Sequence, residues 1–277
     1  MKRIFFALAA VAALASCAKE AAPVASLQQS DEIVFQVKDG LSFDVQTRAT
    51  AVTSLSSFNV VAENSADGSQ LWSLEATQSG SNYVTGKYWP STDGKYAFYA
   101  SNIALTHAAS GATVSPANNN TDVVVAYSAY SSSNYRKVVP LTFDHIYSRI
   151  GSVTVETPES YTLKVNSVST QIVKGGTYNL KNGSWSNKGT AAAQTLAVGN
   201  NDVYAVPGDI VVTVNYTLTK GDYTKTFEKS GTISLAQGKV NNITATPSLS
   251  TEEGASDIVF TVSLKDWGTQ NHSVELK

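Results

Sequence analysis

The sequence predicts an all-β protein built as two tandem β-sandwiches. Apolar residues recur at every second position in many short stretches, which is the period of a half-buried strand. Turn residues punctuate those stretches, often as Asp-Gly, Asn-Gly or Gly-Gly pairs. No stretch sustains an apolar stripe at helical spacing. The length of 277 residues suits two domains of about 100–150 residues each.

The chain opens with a targeting segment, read as a signal peptide over residues 1–16. Lys2 and Arg3 supply its positive start, and Ile4 to Leu14 form an apolar run too short to span a bilayer. The run ends in Leu14-Ala15-Ser16-Cys17, which resembles a bacterial lipobox. Cys17 is the single cysteine, so no intramolecular disulfide is open to it. It reads either as a chance free thiol or as the acceptor of a diacylglycerol. Its place at the end of the apolar run favours the lipid, which would hold the mature chain at an outer membrane.

Residues 17–48 read as a lipidated tether followed by a removable strand segment. Ala18 to Ser30 is small and polar. Ile33, Phe35 and Val37 then alternate with other residues, Lys38-Asp39-Gly40 makes a turn, and Leu41, Phe43 and Val45 alternate again. The pattern breaks at Thr47-Arg48-Ala49-Thr50. The chain has four arginines, and Arg48 is the only one between Arg3 and Arg136. It reads either as a solvated loop residue or as a processing point at the bond to Ala49, where an extended chain can enter a protease cleft.

Two bodies follow, placed at 49–148 and 149–277, with the seam near residue 148. Strands are expected at Leu55–Ala62, Tyr96–Ala100, Val123–Tyr127, Ser152–Glu156, Val203–Val206, Ile210–Leu218, Thr224–Ser234 and Ile258–Leu264. Asp67-Gly68, Asp93-Gly94, Gly175-Gly176, Asn182-Gly183 and Gly221-Asp222 are the breaks between strands.

The net charge of −2 and the lack of any basic run speak against a nucleic-acid partner. His107, His145 and His272 stand far apart in sequence, with no Cys, His or carboxylate at ligand spacing. No nucleophile elbow, phosphate-cradling loop or nucleotide fingerprint occurs. No cofactor, metal or enzymatic activity is therefore expected. Trp72, Trp89, Trp185 and Trp267, with Tyr127, Tyr130 and Tyr135, are expected to pack in the cores; exposed, they could stack on sugars.

Several stretches together resemble the fimbrillin family, the type V pilins of Bacteroides-type bacteria. Tyr88-Trp89-Pro90 followed by Tyr96-Ala97-Phe98-Tyr99-Ala100 resembles the family's Trp-Pro element and next strand. Pro140 to Ile150, reading PLTFDHIYSRI, resembles its L-x-F-x-H-x-x-S-x-I element. Gly238 to Ile243 and Val262 to Trp267 resemble its closing strands. The resemblance implies transthyretin-like sandwiches and export as a lipoprotein. It further implies cutting after an arginine by an arginine-specific or trypsin-like protease, and assembly of subunits into a cell-surface fimbria by donor-strand exchange. Arg48 stands where that cut would fall.

A cut there would free Ile33, Phe35, Val37, Leu41, Phe43 and Val45 and leave a sandwich short of a strand. Such a gap exposes unpaired backbone groups and an apolar groove. The motif Ile33-Val34-Phe35-Gln36-Val37 is echoed by Ile258-Val259-Phe260-Thr261-Val262 near the end. Ile258, Phe260, Val262 and Leu264 would share one face of an extended strand and serve as the donor. Three other readings of the chain compete with this one. It could be an anchor or tip subunit, a non-polymerising adhesin, or a glycan-binding lipoprotein. A hydrolase with a carboxylate pair is a more distant one. Cys17→Ala is expected to abolish acyl labelling and surface display, checked by metabolic labelling with palmitate and by surface staining.

Overall fold

The computed structural model describes residues 32–38, 54–90, 94–117, 121–130, 134–249 and 256–266. Among these residues there is no α-helix. In chain order the strands are β1 (Glu32–Val37), β2 (Ser57–Asn64), β3 (Ser69–Ser79), β4 (Asn82–Tyr88), β5 (Tyr96–Ser101), β6 (Thr106–Ala108), β7 (Gly111–Val114), β8 (Val124–Tyr130), β9 (Val139–Leu141) and β10 (Asp144–His145). They continue as β11 (Ser148–Val155), β12 (Thr162–Ile172), β13 (Thr177–Asn179), β14 (Ser184–Ser186), β15 (Ala192–Leu196), β16 (Gly199–Ala205), β17 (Gly208–Lys220), β18 (Tyr223–Leu235), β19 (Lys239–Leu249) and β20 (Ser256–Asp266).

The first ten strands, less β6 and β7, form one sheet in the order β10-β8-β5-β2-β3-β4-β1-β9. Strands from both ends of that order line a single core, so the sheet wraps around it. Phe58, Val60 and Ala62 come from β2, Phe98 and Ala100 from β5, and Val124 and Ala126 from β8. Ile33 and Phe35 of β1 and Val139 and Leu141 of β9 meet them from the other side. Every residue of β5 is buried, because its opposite face, with Ala97 and Tyr99, belongs to a second cluster.

Residues from Ser148 onward build two four-stranded sheets, β16-β11-β19-β20 and β15-β12-β17-β18. They face each other across a core that includes Ile150, Val168, Val212, Val214, Tyr216 and Ile243. The alternation Ile210, Val212, Val214, Tyr216, Leu218 puts five buried side chains on one face of β17. The β17–β18 hairpin keeps its register from Gly208↔Leu235 to Lys220↔Tyr223. Gly221, at φ +56°, supplies the left-handed conformation that its tight turn requires. In β12 the alternation changes phase at a bulge between Val165 and Ser167. Leu163 and Val165 face inward before it, and Val168, Thr170 and Ile172 after it.

A fourth sheet, β14-β13-β7-β6, takes one hairpin from before residue 148 and one from after it. Tyr178 of β13 pairs with Val114 of β7. Around this sheet Tyr99, Tyr147, Tyr178, Tyr204 and Trp185 pack together. The same region holds buried polar groups. Glu63 accepts from Tyr99 Oη at 3.3 Å, lies 3.0 Å from His107 Nε2 and lies 3.9 Å from Lys181 Nζ. His145 Nδ1 stands 2.8 Å from Asp122, which is fully buried. Sequence spacing hides both pairs, because the partners belong to separate segments of the chain.

Burial pushes the Tyr130 hydroxyl up to about 12. It also raises Tyr147 and Tyr204 well above the ordinary tyrosine range, with the Asp122 charge adding to the effect. A phenol with a raised pKa in the fold contributes stability that is whole below the unfolded value, about 10. That stability is lost as pH rises toward the folded value. The protein is therefore expected to lose thermal stability above about pH 10. Tyr147→Phe gives up the bond from its hydroxyl to Lys174 O (2.9 Å) and starts about 1 kcal/mol less stable at neutral pH. The variant should then show a shallower alkaline fall in Tm, which melts from neutral to strongly alkaline pH will measure.

Candidate functional site

β1 lies one place in from the edge of the first sheet, between β4 and β9, yet has no strand next to it in sequence as a neighbour. It runs antiparallel to β4, with Val34↔Val84 and Phe35↔Tyr83 in register. It runs parallel to β9, with Phe35↔Val139 and Val37↔Leu141, and Lys38 N donates to Leu141 O at 2.9 Å to extend that ladder. The next strand in the chain, β2, lies three places away in the sheet. β1 thus holds β4 and β9 together through hydrogen bonds and packing, while its own link to the fold is the segment after Lys38.

Its inward face explains the burial. Ile33 and Phe35 are buried and Val37 is half-buried. The Phe35 ring meets Phe98 edge to face at 5.4 Å and Phe58 at 6.3 Å, the geometry that aromatic quadrupoles prefer. Burying Ile33 and Phe35 contributes about 3–6 kcal/mol at roughly 1.5–3 kcal/mol per side chain. Beside Ile33 a cleft of about 250 Å³ opens to the surface, walled by Trp72, Tyr88 and Phe98. Removing β1 would join that cleft to the vacated groove.

β20 sits at the other end of the chain and pairs with β19 alone, from Lys239↔Asp266 to Leu249↔Ser256. Its outer edge carries backbone groups that no other strand of the described residues meets. Of the residues expected on one face, Ile258 is buried and Phe260 and Val262 are half-buried, all against the C-terminal core. Leu264, at the far end of that face, is 56 % exposed. The Phe260 ring lies on the bare backbone of Gly231 in β18. A Cβ added at Gly231 would come within 2.3 Å of the ring.

Cys17, Arg48, Ala49, Leu41, Phe43 and Val45 lie outside the described residues, as do His272 and Trp267. Two other arginines are held in the fold. Arg149 is buried in β11, with Nε 2.7 Å from Asp202, and Arg136 is half-buried with its guanidinium over the Tyr135 ring. Trp89 is buried among Tyr96, Tyr130 and Tyr135, and Trp72 and Trp185 pack against the clusters. Tyr127 is partly exposed and stacks on Tyr99. Among the described residues no group of three or more His, Cys, Asp or Glu could hold a metal ion.

These features define a class: an all-β protein with an N-terminal strand completing its first sheet and its last described strand at a sheet edge. The chain belongs to the fimbrillin-like family, whose model matches residues 34–267, from within β1 to just past β20. No curated protein matches the chain. Among solved structures, a candidate cell adhesion protein of Parabacteroides distasonis ATCC 8503 aligns with a TM-score of 0.52 at 10 % identity, covering 85 % of this chain and 100 % of its own. Another from that strain aligns at 0.51 and 11 % identity, covering 86 % and 97 %. The fimbrial anchor protein Mfa2 of Porphyromonas gingivalis aligns at 0.42 and 10 % identity, covering 84 % and 98 %. At such identities the first two likenesses show the fold.

Gly231→Ala forces the Phe260 ring off its seat, an overpacking cost of about 1–3 kcal/mol. The expected outcome is faster hydrogen exchange across residues 256–266, with β12 and β17 unchanged, read by exchange mass spectrometry.

Proposed function

We propose that this chain is a structural subunit of a cell-surface fimbria of a Gram-negative bacterium. It is exported through the periplasm as a lipoprotein on Cys17, is cut between Arg48 and Ala49, and serves adhesion as a polymer. Each copy lends its C-terminal strand to the next copy or to a related fimbrillin, filling the place of the strand lost with residues 17–48. Its partners are those subunits, an arginine-specific or trypsin-like protease, and the outer membrane before the cut. The chain carries no catalytic role in this account. Its two sandwich bodies, 49–148 and 149–277, act as one link of the fibre.

The observation that carries this reading is the placement of β1. It is buried between β4 and β9, yet it is the first described strand and its chain neighbour β2 is not its sheet neighbour. A cut after Arg48 would remove it and break no connection between the other described strands. The remaining edges of β4 and β9 then flank an apolar trough, the setting in which an extended segment binds by β-augmentation. A lasting joint is expected from the burial of several apolar side chains together with backbone pairing at about 1 kcal/mol per bond.

An arginine-specific protease acting on the folded precursor is expected to release a fragment ending at Arg48 and leave the rest whole. The cut protein should then grow into chains on size-exclusion chromatography and in negative-stain images. The same protein ending at Asp257 should stay monomeric after the cut. Equal growth without residues 258–277 would refute donor-strand assembly, and no growth of the cut full-length protein would leave a non-polymerising adhesin lipoprotein as the better account.

A further inference from the structure

Two irregular strand pairings flank the cleft beside Ile33. Between β2 and β3, Ala62 faces Trp72 and Glu63 faces Gln70, so Leu71 is an extra residue bulged out of the ladder. Between β1 and β4, Val34 faces Val84 and Glu32 faces Tyr88. Two steps along β1 therefore match four along β4. Gly86 lies within that surplus at φ +68°, a conformation open to glycine. Bulges bend a strand and re-aim its side chains, and they gather at sheet rims and beside sites. At this rim Tyr88 is 65 % exposed and Leu71 46 % exposed. Large apolar residues left in water at the mouth of a cleft mark a contact surface.

The walls define what fits between them. Trp72, Tyr88 and Tyr96 supply aromatic surface, Ile33 and Leu71 supply aliphatic surface, and none of the lining residues is charged. An ionised ligand would lose its water there without gaining a partner, so the occupant is neutral. The cleft of about 250 Å³ exceeds the roughly 150 Å³ that holds a benzene ring and falls short of the roughly 300–1,000 Å³ of pockets for drug-sized molecules. One substituted six-membered ring is the size that suits it. The Trp72 indole N–H and the Tyr88 hydroxyl give these apolar walls polar tips. A ligand with apolar faces and a hydrogen-bonding rim matches both features. A pyranose ring is such a ligand, with C–H groups on its faces and hydroxyls around its edge. An aliphatic side chain would use the walls and leave the tips unused.

We propose that this cleft binds one uncharged pyranose ring, stacked on Tyr88 and Trp72, and that β1 is part of the site through Ile33. The proposal needs neither a cut at Arg48 nor assembly, and it stands if either fails. Because Ile33 forms one wall, the sugar binds the form in which β1 is seated. A ligand confined to that form suppresses the opening of β1 by the factor 1 + [L]/Kd.

Saturation-transfer NMR on the uncut Cys17→Ala chain tests this with the methyl pyranosides of glucose, galactose, mannose, fucose and N-acetylglucosamine as probes. At least one should receive transfer on its ring C–H protons and bind with a Kd on the order of 1 mM, the strength open to a ligand of that size. Tyr88→Ala, at an exposed position, should weaken that sugar about tenfold through loss of the stacked ring, with Tm unchanged. Tyr88→Phe keeps the ring and should lose only a few-fold. Tyr127→Ala removes a partly exposed aromatic outside the cleft and should leave binding as it was. At ten times Kd the sugar should slow amide exchange in residues 33–37 about tenfold. Transfer to none of the probes overturns the proposal. So does binding that Tyr88→Ala leaves intact, or a bound sugar that leaves the exchange of β1 unchanged. Binding of N-acetyltryptophanamide where no sugar binds overturns it in favour of a protein side chain as the occupant.

Discussion

The N-terminal core is closed by the packing of Phe35 between Phe58 and Phe98, and the strand that delivers Phe35 has no covalent tie to either of the strands it joins. Most strands of a sandwich are held twice, by sheet pairing and by short links to neighbours. β1 is held by pairing and burial, with its link to the body running toward β2, three places away. Such a strand can be strongly bound and still be removable as a unit. The burial that makes it stable would, in the proposed assembly, also make its vacated place able to bind another strand.

In the proposed exchange the rest of the molecule need not be disturbed. The joint between the two halves is built on the opposite face of β5 from the β1 site. There Tyr99 and Ala97 join Tyr147, Tyr178 and Trp185. The small sheet β14-β13-β7-β6 stitches hairpins from both halves by backbone hydrogen bonds. Glu63, Tyr99, His107 and Lys181 add a buried polar contact across the same joint. A buried carboxylate needs such partners, so the joint has a specific geometry. A fibre made of these subunits would transmit load through paired strands at the donor joint and through this stitched region within each copy.

Much of the fold was legible because long strands with one buried face write their period into the sequence. β17 is the clearest case, with five inward residues in strict alternation, and β5, β8, β18 and β20 were placed within a few residues. β12 was not among the expected strands, since its bulge at residues 165–167 shifts the apolar residues from odd to even positions. β3 was also missed: most of its residues are exposed, so neither face carries a sustained apolar pattern. The fourth sheet is made of strands of three or four residues, too short for any period to register. At the site, β1 and β20 were readable from alternation. The Gly231 seat was not, because a glycine's role depends on which ring lies over it from another sheet. The pairing of Glu63 with His107, 44 residues apart, was hidden for the same reason.

The central claim is that β1 alone fills the gap between β4 and β9 and that an extended segment can refill it. Native-state hydrogen exchange of a monomeric form, ending at Asp257, tests this most directly when followed before the cut, after removal of residues 1–48, and after addition of a peptide spanning residues 256–266. The account predicts that amides in β4 and β9 lose protection when the fragment leaves and regain it with the peptide, while β17 and β12 stay protected throughout. Unchanged protection of β4 and β9 after removal of the fragment would contradict it, as would lost protection that the peptide does not restore.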